Sequence, residues 1–498
     1  MPRSVALPTT SHDRLVAHLT RTDGQEDLCF ALYRESTGAT RSTTLIGDVI
    51  LPLPHEREVH GNVAFTDQYF FRAADRAEEE EAGLVLLHSH PGGRHWQEMS
   101  PDDVTAEQGH AAQTVALTGK PLLGMTLATG NQAWSGRLWP RTGRAYQRAD
   151  CSTVRVVGDR LAITRHPRLN RGPVVDERLL RTVSAWGPDV QAELAQLRIG
   201  IAGLGSVGSM IAEALARIGI RNLVLIDFDS IKQHNLDRVL HATRRDVALA
   251  RSKVEVLARA LRQTATNPEF DVEAVELSVV EPEGWAIAMD CDVLFSCVDR
   301  PWPRHLLNLA AYAHLIPVVD GGIRVGTNTQ GEMLAADWKA HIAAPGRRCL
   351  ACLGQYDPAA VSVERDGLLD DPKYINSLSK DHPLRASENV FAFSMSTASL
   401  EVLQLVSMVA APQGIADLGG QIYHAVTGAL DNDTRDCEPN CPYQHELVAT
   451  GESTPALVGS HPLAEQERAQ RQVRASSFRV RAGRLREGLG DRIAGRNR

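Results

Sequence analysis

Between Leu197 and Val319 the chain repeats one unit, a short apolar run followed by a stretch with helical periodicity. Arg198 to Ala202, Asn222 to Ile226, Val293 to Ser296 and Ile316 to Val319 read as strands. Ser206 to Gly219 and Ser252 to Gln263 read as helices, the first closed by Gly219. Strands alternating with helices predict a parallel sheet covered on both faces, a Rossmann-like α/β fold. At the first strand–helix junction stands Gly203-Leu204-Gly205-Ser206-Val207-Gly208. Glycines there let the chain turn tightly and let a phosphate approach the backbone. The helix start then offers free N–H groups to the anion. The pattern alone is common among nucleotide folds, and Asp227 at the end of the second strand suits a dinucleotide site equally well.

The residues downstream of this loop are more specific. The chain reads LIDFDSIKQHNLDR, then Lys253 in SKVE, Asp299 in SCVDR, and PVVDGG. This series resembles the ThiF/MoeB superfamily, the ubiquitin-activating type of adenylating enzyme, across residues 178 to about 445. The resemblance implies that Gly203, Gly205, Ser206 and Gly208 form the phosphate loop of an ATP site. It further implies that Asp227 binds the ribose, that Asn235 and Arg238 approach the phosphates, that Lys253 neutralises the triphosphate, and that Asp299 holds Mg²⁺. Three departures stand out: Arg300 follows Asp299 where the family has Asn, Ser206 occupies a position that is Gly in many relatives, and the family's trans-acting arginine has no sharp match. Arg178 is nearest to that arginine, with Arg181 close by, and the role implies a homodimer. Cations near the oxygens are what in-line displacement at a triphosphate requires.

Residues 1–148 read as a separate mixed α/β domain. Arg14 to Thr20, Thr66 to Glu81 and Pro101 to Ala116 suit helices, and Leu28 to Tyr33, Thr43 to Leu51 and Leu84 to His88 suit strands. His88 and His90 flank Ser89 on the last strand, so they project to one face. Ser100 and Asp103 have the i, i+3 spacing of one helical turn, and Ser100 suits a cap with Pro101 at the first position. Two histidines and a carboxylate make the ligand set of a catalytic zinc with one open position. His88-Ser89-His90-Pro91 followed by Ser100-Pro101-Asp102-Asp103 resembles the JAMM (Mov34/MPN/PAD-1) metallopeptidases. The loop Pro91 to Met99 is two residues longer than that family's spacing. The resemblance implies His88, His90 and Asp103 as zinc ligands, Ser100 as a donor to the water or oxyanion, and an upstream glutamate as general base. Glu26 fits best because an apolar strand follows it, and Glu35 is second.

The eight cysteines are too few for a disulfide framework in a chain of 498 residues. Four form close pairs, Cys349/Cys352 and Cys437/Cys441, the spacing of a structural zinc site. ThiF/MoeB relatives carry such a site late in the adenylating domain. Cys29, Cys151, Cys291 and Cys297 offer no clear thioester nucleophile.

Residues 149–175 read as a linker, 176–450 as the adenylating domain, and 451–498 as a basic, flexible or partly helical tail. The net charge of -8 and pI near 6.1 argue against a protein built to coat nucleic acid. No signal-like start and no membrane-length apolar run are read, so a cytoplasmic protein without membrane partner is expected. Together the two resemblances imply a bifunctional enzyme. It would adenylate the terminal carboxylate of a ubiquitin-like β-grasp protein and hydrolyse peptide or isopeptide bonds to the same modifier, with a conjugating or sulfur-carrier protein as a further partner. Alternatives are adenylation of a peptide or small-molecule carboxylate, and a scaffold whose JAMM-like domain is inactive.

Overall fold

The computed structural model describes residues 1–60, 62–172, 176–377 and 389–474. Two large sheets organise them. The first has nine strands in the order Ala149–Asp150, Ala133–Trp139, Leu122–Ala128, Gly83–His90, Leu28–Thr37, Ser42–Ile50, Arg3–Pro8, Thr153–Val157, Leu161–Arg165. The strand Gly83–His90 lies in its middle, antiparallel to Leu28–Thr37 and parallel to Leu122–Ala128. A strand flanked on both sides and covered on both faces is nearly all apolar, as LVLL is here. Helix Asp67–Glu79 starts at Thr66, whose side chain accepts the N–H of Tyr69, and buries Tyr69, Phe70, Ala73, Ala74 and Ala77.

The second sheet runs Asp271–Val275, Asn222–Ile226, Arg198–Ala202, Val293–Ser296, Val318–Thr327, Met333–Ala343, Gly420–His424, Ala429–Asp433. Its first five strands are parallel and carry the 3-2-1-4-5 order of a Rossmann-like fold. The last three extend it antiparallel. This matches the α/β fold class expected from the alternation.

Two expectations change and one alternative is selected. The segment 149–175 is no simple linker: its first part supplies three strands to the nine-stranded sheet. Val154, Arg155 and Val157 are buried there, and a five-residue run with an arginine at its centre shows no clear period in the sequence. Of the tail read as flexible or partly helical, residues 451–474 carry a short turn at Gly451–Ser453 and a helix over 462–474, which agrees with the partly helical alternative, while the remainder lies outside the described residues. Finally, the helix Phe391–Ala410 is long and apolar enough to cross a membrane by length and composition, contrary to expectation. It is half buried against helix Ser206–Arg217 and strands Val318–Thr327 and Met333–Ala343. Ser394, Ser396, Thr397, Ser399 and Glu401 interrupt its apolar run and hid it in the sequence.

The two sheets share a core. Ala6, Leu45, Val157 and Leu161 pack in one cluster with Leu194, Ile199, Leu215 and Val293. Asp292 seals the junction: it pairs with Arg41 at 2.6 Å and with the fully buried Arg155 at 2.8 Å, and it accepts the Arg198 N–H. Burial pushes the Asp292 carboxyl up, but Arg41 and Arg155 outweigh it and hold it far below the usual range. Asp292→Ala leaves the fully buried Arg155 and the partly buried Arg41 without their anion, so a stability loss of about 3–5 kcal/mol is expected in urea titration.

Candidate functional site

Two of the three glycines in the 203–208 loop are required by close backbone approach. Gly203 has φ +91°, and a Cβ there would run into the Cys297 carbonyl. A Cβ on Gly208 would collide with the Gly203 carbonyl, so the helix Ser206–Arg217 can begin directly against the strand that precedes it. Gly205 stands at the N-cap, leaving the first N–H groups of the helix without a side-chain partner.

A cavity of about 1350 Å³ opens over this loop. Its lining includes Gly203, Gly205, Ser206, Asp227, Asn235, Arg238, Lys253 and Asp299. Pockets for one small ligand run to roughly 300–1,000 Å³, so the cavity exceeds a single nucleotide's need. Gly208 packs beneath the loop instead. Arg178 is half exposed and ion-paired to Asp176 at 2.8 Å; neither it nor Arg181 is among the residues lining its own chain's cavity.

Lys253 is buried at the start of its helix, where Ser252 caps by accepting the Glu255 N–H. Its ammonium lies 2.6 Å from Asp229 and 3.4 Å from Asp227. Burial opposes its charge, yet Asp227 and Asp229 outweigh burial and raise it above its ordinary value. Asp227 also accepts the backbone N–H of Leu204 at 2.6 Å and of Asp229 at 2.7 Å, which ties the second strand's end to the phosphate loop. Asn235 holds its short turn through a bond from the Lys232 N–H at 2.9 Å.

Several lining residues had no sequence signal. Arg304 donates to Asp320 and to the carbonyls of Val298, Gln355 and Gly321, bracing the loop that carries Asp299 against the PVVDGG strand. Asn389 donates to Ser206 Oγ at 2.8 Å from far along the chain. Glu364 is buried and accepts the Trp302 N–H at 2.7 Å. Burial pushes Glu364 up to about 7, with the Trp302 bond opposing. A carboxyl raised in the folded state contributes stability below its unfolded pKa of about 4.3 and loses it as pH rises through about 7. Glu364→Gln should therefore gain thermal stability over the parent from pH 5 to pH 8, by up to ~3 kcal/mol.

The second candidate lies at the end of strand Gly83–His90. His88 Nε2 and His90 Nε2 face each other at 3.3 Å. Asp103 brings its carboxylate to 3.8 Å from the first and 3.6 Å from the second. Ser100 and Asp103 form a reciprocal capping box, which fixes the carboxylate: Ser100 N–H donates to Asp103 Oδ2 at 2.9 Å, and Asp103 N–H to Ser100 Oγ at 3.1 Å. The cap thereby aims the carboxylate. Within the longer loop Gly92 turns at φ +70°, and the Gln97 N–H donates to Ser135 Oγ at 2.6 Å. Gln97 Oε1 also lies 3.4 Å from His90 Nδ1, suiting a tautomer that leaves Nε2 free.

Burial first, then Arg137, pushes His88 down to about 3, so it stands neutral, as a metal ligand must. Two imidazole nitrogens and a carboxylate converging within 4.8 Å fit a divalent cation by donor chemistry. Glu26 is close enough to feel His90 and Asp103, and burial raises its carboxyl. It is held in place from behind: Ser89, fully buried between the two histidines, accepts the Asp27 N–H at 3.0 Å. Glu35, the second candidate base, instead sits within the Leu28–Thr37 strand, paired with Thr44.

Cys349, Cys352, Cys437 and Cys441 also converge within 4.8 Å. Cys349 and Cys441 sulfurs are 3.6 Å apart, close to the edge of about 3.8 Å that four Zn–S bonds produce. Backbone N–H groups of Cys349 and Cys352 donate to Cys437 and Cys349 sulfurs. Hydrogen bonding with Cys349 is the main influence that brings the Cys437 thiol down to about 5, and burial opposes it. Cys29, Cys151 and Cys291 are fully buried, and burial raises each thiol.

The sequence model of the ThiF family matches residues 177–417. Among curated proteins the chain is similar to the molybdopterin-synthase adenylyltransferase of Escherichia coli K12, 30% identical over 34% of this chain and 62% of that protein. It is 34% identical to the tRNA threonylcarbamoyladenosine dehydratase of the same organism, over 29% of this chain and 53% of that one. It is 30% identical to the SAMP-activating enzyme E1 of Haloferax volcanii, over 33% of this chain and 56% of that one. The matches thus span between half and two thirds of these relatives' lengths. The family model and these relatives together support a ThiF/MoeB-type adenylyltransferase domain in this part of the chain.

Proposed function

We propose that this chain is a cytoplasmic, ATP-dependent adenylating enzyme for the C-terminal carboxylate of a ubiquitin-like protein, and that its N-terminal unit is a zinc metallopeptidase acting on bonds to that modifier. The observation that carries the first half is the convergence of Asp227, Asn235, Arg238, Lys253 and Asp299 around the Gly203–Gly208 loop in one cavity. An adenylyltransferase and a SAMP-activating enzyme among the relatives support the same chemistry and a protein partner. The terminal carboxylate oxygen attacks the α-phosphorus of ATP, the bond to the β-phosphate bridging oxygen breaks, and pyrophosphate leaves, giving an acyl-adenylate. Arg238 and Lys253 offset charge on the phosphate oxygens, and Asp227 holds the ribose. Bound Mg²⁺, held at Asp299, would supply further neutralisation. Arg178 acts from a second copy in a homodimer. The dehydratase among the relatives is named for a tRNA nucleoside and not for a ubiquitin-like protein, which keeps a second reading in which another carboxylate is activated.

The observation behind the second half is the His88, His90 and Asp103 cluster with Glu26 beside it. Zinc bound there would acidify a water and polarise the scissile carbonyl. Glu26 takes the water's proton and returns it to the leaving amine. Ser100, whose Oγ accepts the Asp103 N–H, keeps its own O–H for the oxyanion. The four cysteines would hold a structural zinc that pins the Cys437–Cys441 segment to the core.

Metal content tests both sites together. Wild type should carry two zincs per chain. His88→Ala/His90→Ala and Cys349→Ser/Cys352→Ser should each carry one, the histidine variant keeping ATP–pyrophosphate exchange. A wild type with one zinc, lost only from the cysteine variant, would sink the peptidase reading.

A further inference from the structure

The segment after residue 450 runs back to the carboxyl end of the parallel sheet. The Leu457 carbonyl accepts the Trp302 indole N–H at 2.7 Å, and the Gly459 N–H donates to the Val280 carbonyl at 2.9 Å. Residues 462–474 then form a helix clamped along its length. Glu467 pairs with Lys232 at 2.7 Å, and Arg468 with Glu281 at 3.0 Å. Arg471 donates to the Phe228 carbonyl at 2.7 Å and to Ser230 Oγ at 3.1 Å, and pairs with Glu276 at 3.0 Å. Ala464 is fully buried beneath it. The His461 ring lies 4.8 Å from that of Phe228.

These anchors fix which side of the nucleotide site the helix covers. With phosphates at the Gly203–Gly208 loop and ribose at Asp227, a base must lie beyond Asp227, toward the neighbouring strand Asp271–Val275. Phe228, Ser230, Glu276 and Glu281 follow those two strands, so the helix stands on that side. His461, Leu463, Gln466 and Gln470 line the same cavity as Gly203 and Asp227. Gln466 and Gln470 are spaced i, i+4 and share one face of the helix. A carboxamide donates and accepts at once, which matches the amino group and ring nitrogen of adenine; guanine offers an acceptor where adenine offers a donor.

We propose that the helix 462–474 is the base-facing wall of the nucleotide site and that Gln466 and Gln470 select adenine over guanine. This rests on the adenylation reading. The test is calorimetric binding of ATP and GTP to the full chain, to Gln466→Ala/Gln470→Ala, and to a chain ended after residue 460. Wild type should prefer ATP. The double variant, which alters two cavity-lining side chains, should weaken ATP by about tenfold and leave GTP little changed, so that the preference collapses. The shortened chain should lose at least as much ATP affinity. Unchanged ATP binding in both, or equal weakening of ATP and GTP in the double variant, would overturn the proposal. Wild type that binds neither nucleotide would overturn the adenylation reading itself, and the wall with it.

Discussion

Replacing Lys253 with alanine should lower ATP–pyrophosphate exchange by about 10²–10³-fold, the usual loss when one charge-stabilising donor leaves a pre-organised site. The geometry makes the loss twofold in kind. Lys253 is buried, so its ammonium acts where water screens little. It is also the cation shared by Asp227 and Asp229. Without it two neighbouring carboxylates face an incoming triphosphate, and like charges oppose binding as well as chemistry. Lys253→Arg keeps the charge and should recover part of the exchange. Peptide cleavage should be unaffected in both. Exchange by Lys253→Ala at the wild-type rate would remove this lysine from the site.

Glu26→Gln should reduce amide-bond cleavage by about 10²–10⁴-fold, the range expected for a lost general base. Zinc content should stay at the wild-type level, because Glu26 is not among the residues whose ligand atoms converge. The acid side of the pH–rate profile reports the base in the free enzyme, and burial raises the Glu26 carboxyl, so that limb should lie above the range of an ordinary exposed glutamate. Exchange with ATP should be untouched. Cleavage at the wild-type rate by Glu26→Gln, with zinc bound, would return the search for a base to other residues. Loss of both activities in a folded Glu26→Gln or Lys253→Ala protein would refute two independent sites.

Much of the arrangement was legible because it is local. The Gly203–Gly208 loop is set by the size of hydrogen against a backbone carbonyl five residues away and another one strand over. The capping box at Ser100 and Asp103 spans a single helical turn, and His88 and His90 share a strand face by the alternation of any strand. The two cysteine pairs carried their spacing openly, although only folding brings them to one point. Strand limits for Arg198–Ala202, Asn222–Ile226 and Val293–Ser296 fell where the apolar runs end, since fully buried parallel strands leave little room for polar residues.

The available chemistry is therefore written in the chain itself: a phosphate loop followed by Asp, Arg and Lys, an HxH with a capped aspartate, and four thiols in two pairs. These depend on residue types at short range. Which distant segments join them is a matter of long-range packing alone. Asn389 reaches Ser206, Arg304 braces the Asp299 loop, Asp292 locks the two sheets through Arg41 and Arg155, and the 462–474 helix packs along one side of the cavity over the Gly203–Gly208 loop. That last segment reads as a flexible or partly helical tail because charged residues such as Arg468, Arg471 and Glu467 crowd its composition. Those charges are partly buried in ion pairs with Glu281, Glu276 and Lys232, and composition cannot tell a charge paired across the fold from one left in water.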